Sequence, residues 1–484
     1  MENGSNVLSH VPVIPLLIDN ENIVTEVKFD VVSPLNNQCC HQSSSASTVE
    51  ANAAVQAAQA AFLQWSKLKP NVRRQFLWKA ADFMDSVQDE LARYQQEEMG
   101  AALDNAYRAV KRASDLLRDV AAMIPLVEGT MPSVAQEGQA AVVLKEPYGV
   151  VLGIAPWNSP FMLGMRAVAL PLAAGNTVIL KGSELSPKCF WALGQIFSRA
   201  GLPKGCVNVI FHRPSDAVEV TNTLIANPAV RKLSFTGSTQ VGHAIASVAG
   251  NFGKPVLLEL GGKAPCIILD DADLQEAASG CLIGAFRGAG QICMSTERII
   301  VQRRVAESFR TILIEKAQGM LGASSPVPNL VSAASRKRIQ SLVSDALHKG
   351  AEKLFAPPDT KDQTISQMQP IILENVSQDS DLYHIEAFGP LASLFVVDSE
   401  DEAIELANNT EYGLTAAVYT SSLTRGFKVA SQIQSGAVHI NSPTIHDETV
   451  LPHGGVKSSG YGRFGGIRAL DEFLQTKVIT WKTD

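Results

Sequence analysis

The 484-residue sequence predicts an α/β protein built from two doubly wound units. Two observations carry that reading. From Gly149 onward, short apolar runs alternate with helix-length segments, and a second series of the same kind begins near Gly261. A chain of this length exceeds one ordinary core, at ~150 residues per domain. Hydrophobic residues make up 46% and charged residues 18% of the chain, which places it among compact folded proteins with a large core.

The opening of the chain reads as helical. After a polar lead-in, Ser43 to Ser47 form a small-residue patch, and Ser47 with Glu50 offers a capping box for an Ala-rich run to about Trp65. Two more helical stretches, roughly Asn71 to Gln96 and Leu103 to Val127, precede any strongly β-like segment. The first strand series is then VVLGIA (150–155), NTVILK (176–181), VNVIF (207–211), KLSFTG (232–237) and VLLELGG (256–262). Apolar runs without alternation suit a parallel sheet covered on both faces. The most apolar stretch, Gly149 to Leu180, is broken by Asn158, Arg166 and Asn176, so it reads as a buried strand and a core helix, not a membrane span.

The second series is PCIILD (265–270), ERIIVQ (297–302), LASLFVV (391–397), AAVYT (416–420) and GAVHIN (436–441), with helices expected at Val305 to Leu321 and Ala334 to Lys349. Two strand candidates stand apart, Ala140 to Lys145 and Lys477 to Lys482. Exposed edges of this sort often pair between subunits. The chain shows no internal repeat and no long linker.

With 41 Lys and Arg against 48 Asp and Glu, the net charge of −7 offers no electrostatic reason to expect nucleic acid or an anionic membrane as partner. The seven cysteines (39, 40, 189, 206, 266, 281 and 293) form no CxxC or zinc-type spacing, so no metal is expected, and a reduced, cytoplasmic setting fits. No basic residue precedes Lys28 and no apolar run ends at a cleavage-type site, so neither a signal nor a transit peptide is expected.

Four places can carry chemistry. Lys232 to Gly242 runs from a strand through a Gly/Ser/Thr turn into a helix, where free N–H groups and the helix dipole suit a phosphate; it is also readable as a plain turn, because its glycines do not make GxGxxG. Cys293 follows Gly284, Gly288 and Gly290, which let the backbone come close to a ligand; a cysteine of this kind is ordinarily inert core. Glu259 ends an apolar strand, which requires a use or a partner such as Lys263 or Lys254. Asn158 follows a buried strand, where its amide can serve an oxyanion or a turn.

These places occur together, in one order, in a chain that closely resembles the aldehyde dehydrogenase superfamily. The segments that carry the resemblance are PWNSP (156–160), KGSE (181–184), FTGSTQVG (235–242), LELGGK (258–263), GQICMS (290–295), EAFGPL (386–391), EYGL (411–414) and HGGVKSSGYGR (453–463). It extends from about Val49 to the C-terminus. It implies a Rossmann-like dinucleotide-binding domain (1–127 and 148–259), an α/β catalytic domain (260–453) and a bridging β-hairpin (128–147 and 470–484) through which dimers or tetramers form.

By that resemblance Cys293 is the nucleophile, Asn158 with the Cys293 N–H polarises the carbonyl, and Glu259 activates the water that cleaves the thioester. The presence of Glu259 favours a free acid as product over transfer to coenzyme A. Lys181 and Glu184 are expected on the adenosine ribose, Gly237 and Ser238 at the pyrophosphate, Trp157 in the same cleft, and Glu386 with Phe388 around the nicotinamide riboside. A carboxylate at Glu184 favours NAD, with NADP as the alternative.

The ending HGGVKSSGYGRFGG and the run SPFMLGMRAVALP resemble the branch acting on aromatic aldehydes such as salicylaldehyde and vanillin; an aliphatic or semialdehyde substrate is the alternative. Arg166 is expected near the mouth of the substrate tunnel, facing a ring hydroxyl or carboxylate, or else in an ion pair. Ser159 and Gly164 are expected to leave width for a ring, and Ile292 and Met294 to flank the substrate. The chain departs from the family pattern at His453, where Phe is usual, at Gly288-Ala289, where Asn-Gln is usual, and at 321–329, which is shortened. A thiol esterase and a non-catalytic relative are the competing readings; intact Lys181, Glu184 and Glu386 count against the first, and retained Cys293 and Glu259 against the second.

Overall fold

Strands that are buried along nearly their whole length, such as Val150–Ile154 and Thr177–Lys181, organise the first half of the chain. The computed structural model describes residues 13–322, 324–359 and 364–483. Residues 1–12, where a leader peptide was looked for, lie outside that set, as do Ala323 and Asp484.

The larger sheet has eight strands in the order Gly460–Tyr461, Val256–Glu259, Val230–Thr236, Val150–Ile154, Thr177–Lys181, Val207–Ile210, Leu16–Ile18 and Glu21–Ile23. The strands from Val256–Glu259 to Val207–Ile210 are parallel, as their doubly apolar faces require. Chain order runs one way from Val150–Ile154 to Val207–Ile210, then returns to the other side. That leaves a topological switch point between Val150–Ile154 and Val230–Thr236, where such sheets open a crevice at their carboxyl edge.

The second sheet has seven strands in the order Glu352–Phe355, Ile371–Glu374, Leu391–Val397, Thr296–Gln302, Ala264–Ile268, Thr415–Tyr419 and Ala437–Ile440. Only Glu352–Phe355 runs antiparallel within it. The chain leaves the carboxyl end of Val256–Glu259 and enters the amino end of Ala264–Ile268 through residues 260–263 alone. That short crossing aims the carboxyl edge of the first sheet at the amino edge of the second.

The helix after Ser47 spans Thr48–Trp65 and has both halves of its capping box. The expected helix over 71–96 is instead two, Pro70–Ser86 and Gln88–Met99, broken at Val87, whose ψ of 19° leaves the helical range. The opening is not purely helical either. Lys28–Ser33, Gln38–Ser44 and Val13–Ile14 form a three-stranded sheet, while Leu16–Ile18 and Glu21–Ile23 extend the larger one. Glu21–Ile23, Lys28–Ser33 and Gln38–Ser44 are half-exposed and lack the apolar runs that mark a strand in sequence, while Leu16–Ile18 is buried but only three residues long. Glu352–Phe355, Ile371–Glu374 and Gly460–Tyr461 went unread for the same reason. Finally, Gln139–Pro147 and Leu474–Lys482 pair antiparallel along their full length as a ribbon apart from both large sheets.

Candidate active site

Apart from Arg166 and Gly164, which lie in the helix Pro160–Ala174, the residues singled out in the first domain gather at one edge of one sheet. In spatial order these are Glu259 at the end of its strand, Gly237-Ser238 after Val230–Thr236, Trp157-Asn158 after Val150–Ile154, and Lys181 as the last residue of Thr177–Lys181 with Glu184 beyond it. Facing them at the amino edge of the second sheet are Cys293, just before Thr296–Gln302, and Glu386 to Phe388, just before Leu391–Val397. A pleated-sheet spacing of ~4.8 Å puts the strands of Glu259 and Lys181, three positions apart, ~14 Å from each other.

Cys293 and Glu259 meet. The thiol donates to Glu259 Oε1 at 3.1 Å. Burial and the adjacent Glu259 charge push the thiol well above its usual range. The carboxylate lies the other way: burial opposes its charge, yet Arg166 and His453 outweigh burial and hold it down at about 2. Glu259 Oε2 is 3.6 Å from Arg166 Nη2, and Oε1 is 3.3 Å from His453 Nε2. Lys263 and Lys254, the partners considered for Glu259 from sequence, are engaged elsewhere. Lys263 pairs with Glu297 at 2.6 Å, and Lys254 donates to the carbonyls of Ile225 and Asn227.

The loop that carries Cys293 is held by local geometry. Gly288, Ala289 and Gly290 all adopt positive φ, at 61°, 59° and 68°. A side chain at 290 would collide with the Gly389 carbonyl. A Cβ at Gly262 would lie 2.2 Å from the Cys293 carbonyl oxygen, so the crossing loop must be glycine there for Cys293 to sit where it does. Gln291 accepts from the Val331 N–H, and Asn158 Nδ2 donates to the Gln291 carbonyl at 2.9 Å. That bond uses one amide hydrogen of Asn158 and leaves the other free for a ligand oxygen.

Glu386 accepts the Gly262 N–H at 2.8 Å, and burial together with Glu297 raises its carboxyl to about 8. Phe388 has φ 47°, a strained value for a bulky residue, maintained because the Ala387 and Phe388 N–H groups both donate to Glu297. Its ring meets Trp157 edge-on at 5.6 Å. Ser238 is the N-cap of the helix Thr239–Asn251 and its side chain makes no capping bond, so the helix N–H groups face the cleft unclaimed. At the far end, burial lowers Lys181, against the pull of Glu184. His212, not singled out from sequence, lies close enough to Lys181 that burial and that lysine together push it down to about 4.

Two expectations for the substrate side change. Arg166 is not at a mouth: its side chain is 6% exposed, between Glu259 and Asp447 and over the Phe464 ring. Gly164 gives no width to a pocket, because it packs against Leu193 and Phe190 of the next helix. Met294 is buried with Leu414 and Ile445, with Ile292 and Ile283 against them, while Ser159 is half-buried at the start of the helix Pro160–Ala174. His453 and Asp447 were missed as site residues, His453 because it registered only as a departure from a pattern. Away from the cleft, Cys40, His41 and Glu97 bring possible metal ligands within 4.8 Å of one another. There burial and Glu98 raise the Cys40 thiol to about 12, and Glu97 is paired with Lys188.

The model of the aldehyde dehydrogenase family matches residues 23–479. A vanillin dehydrogenase of Pseudomonas sp. (strain HR199 / DSM 7063) is 44% identical over 96% of this chain and 97% of its own length. A salicylaldehyde dehydrogenase of Pseudomonas sp. (strain C18) is 37% identical over 93% of this chain and 94% of its own. The crystal structure of a salicylaldehyde dehydrogenase from Pseudomonas putida G7 complexed with salicylaldehyde superposes with a TM-score of 0.93 at 35% identity, covering 97% of this chain and 98% of that one. With the switch-point crevice, the facing cysteine and glutamate, and these matches over nearly the whole length, the chain belongs to the aldehyde dehydrogenase family, whose members oxidise aldehydes with NAD(P).

Proposed function

We propose that the protein oxidises an aromatic aldehyde to its carboxylic acid, preferring NAD, through a thioester on Cys293. The observation that carries the reading is the 3.1 Å contact between the Cys293 thiol and Glu259 at the junction of the two sheets. Glu259 takes the thiol proton as sulfur adds to the carbonyl carbon, and the free amide hydrogen of Asn158 with the Cys293 N–H receives the oxyanion. The bound nicotinamide supplies the hydride acceptor. Glu259 then takes a proton from the water that cleaves the thioester, and burial of the site keeps other water away.

The cleft fits a dinucleotide. The uncapped helix start at Ser238, beside Gly237, offers N–H groups to a pyrophosphate at the switch point. Lys181 and Glu184 lie two strands along the same edge, where Glu184 would accept from a ribose 2′-OH and repel a 2′-phosphate. Glu386 reaches in from the opposite sheet to the second ribose, and Trp157 with Phe388 walls the ring. A Cβ at Gly261 would lie 2.6 Å from Glu386 Oε2, so this cradle exists because the crossing loop has no side chain there.

For the substrate, Ile292, Met294, Leu414 and Ile445 make an apolar surround for the thiol. The Arg166 pairs with Glu259 and Asp447 run through its terminal nitrogens, and its buried Nε has no partner, which leaves a donor for a ring hydroxyl. The relatives named for vanillin and salicylaldehyde support an aromatic substrate. The chain divides at 127/128, 147/148, 259/260 and 453, with the paired ribbon joining copies into a homodimer or tetramer. Seven unpaired cysteines suit a reducing cytoplasm, and among the described residues no helix is long and apolar enough to cross a membrane.

The test is initial rates for salicylaldehyde, vanillin, benzaldehyde, hexanal and succinate semialdehyde, each with NAD and NADP. Aromatic substrates with NAD should lead in kcat/KM by roughly tenfold or more. A lead for the aliphatic or semialdehyde substrates would overturn the aromatic assignment.

A further inference from the structure

On the function proposed above, Glu259 takes up a proton twice in one turnover, first from the Cys293 thiol and then from the hydrolytic water. Its side chain is only 1% exposed. Bulk water therefore does not clear the first proton before the second arrives, and a carboxyl that keeps the thiol proton is no base. Among the described residues, three side chains reach the carboxylate: Cys293 at 3.1 Å, His453 at 3.3 Å and Arg166 at 3.6 Å. The thiol is the source of the proton, and a guanidinium does not exchange one near neutral pH. Only the imidazole can accept at one nitrogen and release at the other.

The surroundings of His453 continue the path outward. Its Nδ1 is 3.8 Å from Asp447 Oδ1, and that carboxylate is 14% exposed where His453 is 5%. Next along the same loop, His446 Nε2 and Glu448 Oε1 are 3.3 Å apart, with side chains 39% and 56% exposed. Exposure thus rises from Glu259 through His453 to Asp447, and Asp447's chain neighbours His446 and Glu448 are more exposed still. The backbone of His453 is fixed by reciprocal bonds with Phe464, at 2.6 and 2.7 Å. Neither His453 Nε2 nor Glu259 Oε2 has an aligned hydrogen bond at rest, so both have capacity for a transferred proton. The charged and titratable groups that face His453 are Glu259, Arg166 from the helix Pro160–Ala174, Asp447 and His446 from its own loop, and His439 from the strand Ala437–Ile440.

We propose that His453, backed by Asp447, is the proton exit of Glu259 and resets the base between the two halves of the reaction. The proton balance is closed. As S–C forms, the S–H bond breaks and its proton passes to Glu259, then to His453 Nε2, while the Nδ1 proton leaves by Asp447 to solvent. After hydride has gone to the oxidised nicotinamide, a water O–H breaks as O–C forms, and its proton goes to the emptied Glu259. The C–S bond breaks, the thiolate takes that proton back, and the acid product ionises in solvent. Aldehyde, water and NAD⁺ thereby become carboxylate, NADH and two protons. His453 acts through Glu259 and touches no reacting atom, so it is a positioning and relay residue.

The test uses the full-length enzyme and p-nitrophenyl acetate, which acylates the same thiol without cofactor, followed by aldehyde with NAD. His453→Gln and His453→Phe should keep a burst of nitrophenolate near one per active site, while the steady-state rate falls by about tenfold or more, the ordinary scale of a lost proton-transfer partner. Imidazole should raise the variants' rate in proportion to its concentration, after subtraction of enzyme-free hydrolysis, and leave the wild type unchanged. Asp447→Asn should show a smaller loss of the same kind. An unchanged steady-state rate in both His453 variants overturns the proposal, and so does a loss that imidazole fails to reverse, which marks His453 as structural. Full turnover by Cys293→Ala would instead bring down the underlying reading of the site, and the relay with it.

Discussion

Two carboxylates in the cleft move in opposite directions: burial and Glu297 raise Glu386 to about 8, while Arg166 and His453 outweigh burial and hold Glu259 at about 2. For Glu386 the folded state holds its proton more tightly than the unfolded chain, whose value is 4.5. Its contribution to stability is therefore present below pH 4.5 and is lost as pH rises toward 8. Cofactor-free Glu386→Gln should gain on the wild type in thermal melts by ~1–2 °C between pH 5 and pH 8.5, a shift kept small by the part of the side chain that solvent still reaches. A constant gap across that range contradicts the assigned direction. At the thiol, Cys293→Ala should abolish NADH formation while NAD still binds, as read by quenching of protein fluorescence. At the ribose end, Glu184→Ser should raise kcat/KM for NADP relative to NAD by roughly tenfold, the equivalent of ~1.4 kcal/mol; a fixed ratio would remove Glu184 from the ribose. Cys293, Glu259 and Asn158 stood out in the sequence only as candidates, each also readable as ordinary structure, and it was the resemblance of the segments around them to one family that joined them into a site. Arg166 was legible as a residue but not as a place, since its burial depends on Glu259, Asp447 and Phe464, which are remote in the chain.

At the scale of the elements, the crossing loop 260–263 does more than connect strands. Gly262→Ala places a methyl group 2.2 Å from the Cys293 carbonyl oxygen, and neither backbone can yield without moving the nucleophile. The variant should fold with a near-normal melting temperature and lose roughly 100-fold or more in kcat, on the scale of a misplaced reacting group. Retained activity would mean that the loop relaxes freely. The helix Thr48–Trp65 was readable to its first residue, because a capping box is a local pattern. The break at Val87 was not, because no proline or glycine marks it. The N-terminal strands were missed for a related reason: a strand completed by partners far along the chain, such as Leu16–Ile18 beside Val207–Ile210, needs little signal of its own.

For the whole molecule, the ribbon of Gln139–Pro147 and Leu474–Lys482 is the feature a lone subunit does not account for. Ile479 and Trp481, on one face of its outer strand, are 44% and 41% exposed. A stable monomer seldom displays a long unpaired edge with such side chains. The double variant Ile479→Lys, Trp481→Lys should sediment as a monomer at micromolar concentration, with the helical content of the wild type. An unaltered sedimentation coefficient would place the subunit contact elsewhere.

The sequence by itself determined the two α/β series, the parallel character of their strands and the residues able to carry the chemistry, because apolar periodicity, capping and the cost of a buried carboxylate are local properties of a chain. Only the tertiary structure decided that the carboxyl edge of one sheet meets the amino edge of the other. From that meeting follow the contact of Cys293 with Glu259, the burial of Arg166 beside it, and the approach of His453 across 453 − 259 = 194 residues. The physical reason is that electrostatic neighbourhood depends on distance in space, and no local pattern records which distant side chains will share one small, poorly solvated volume.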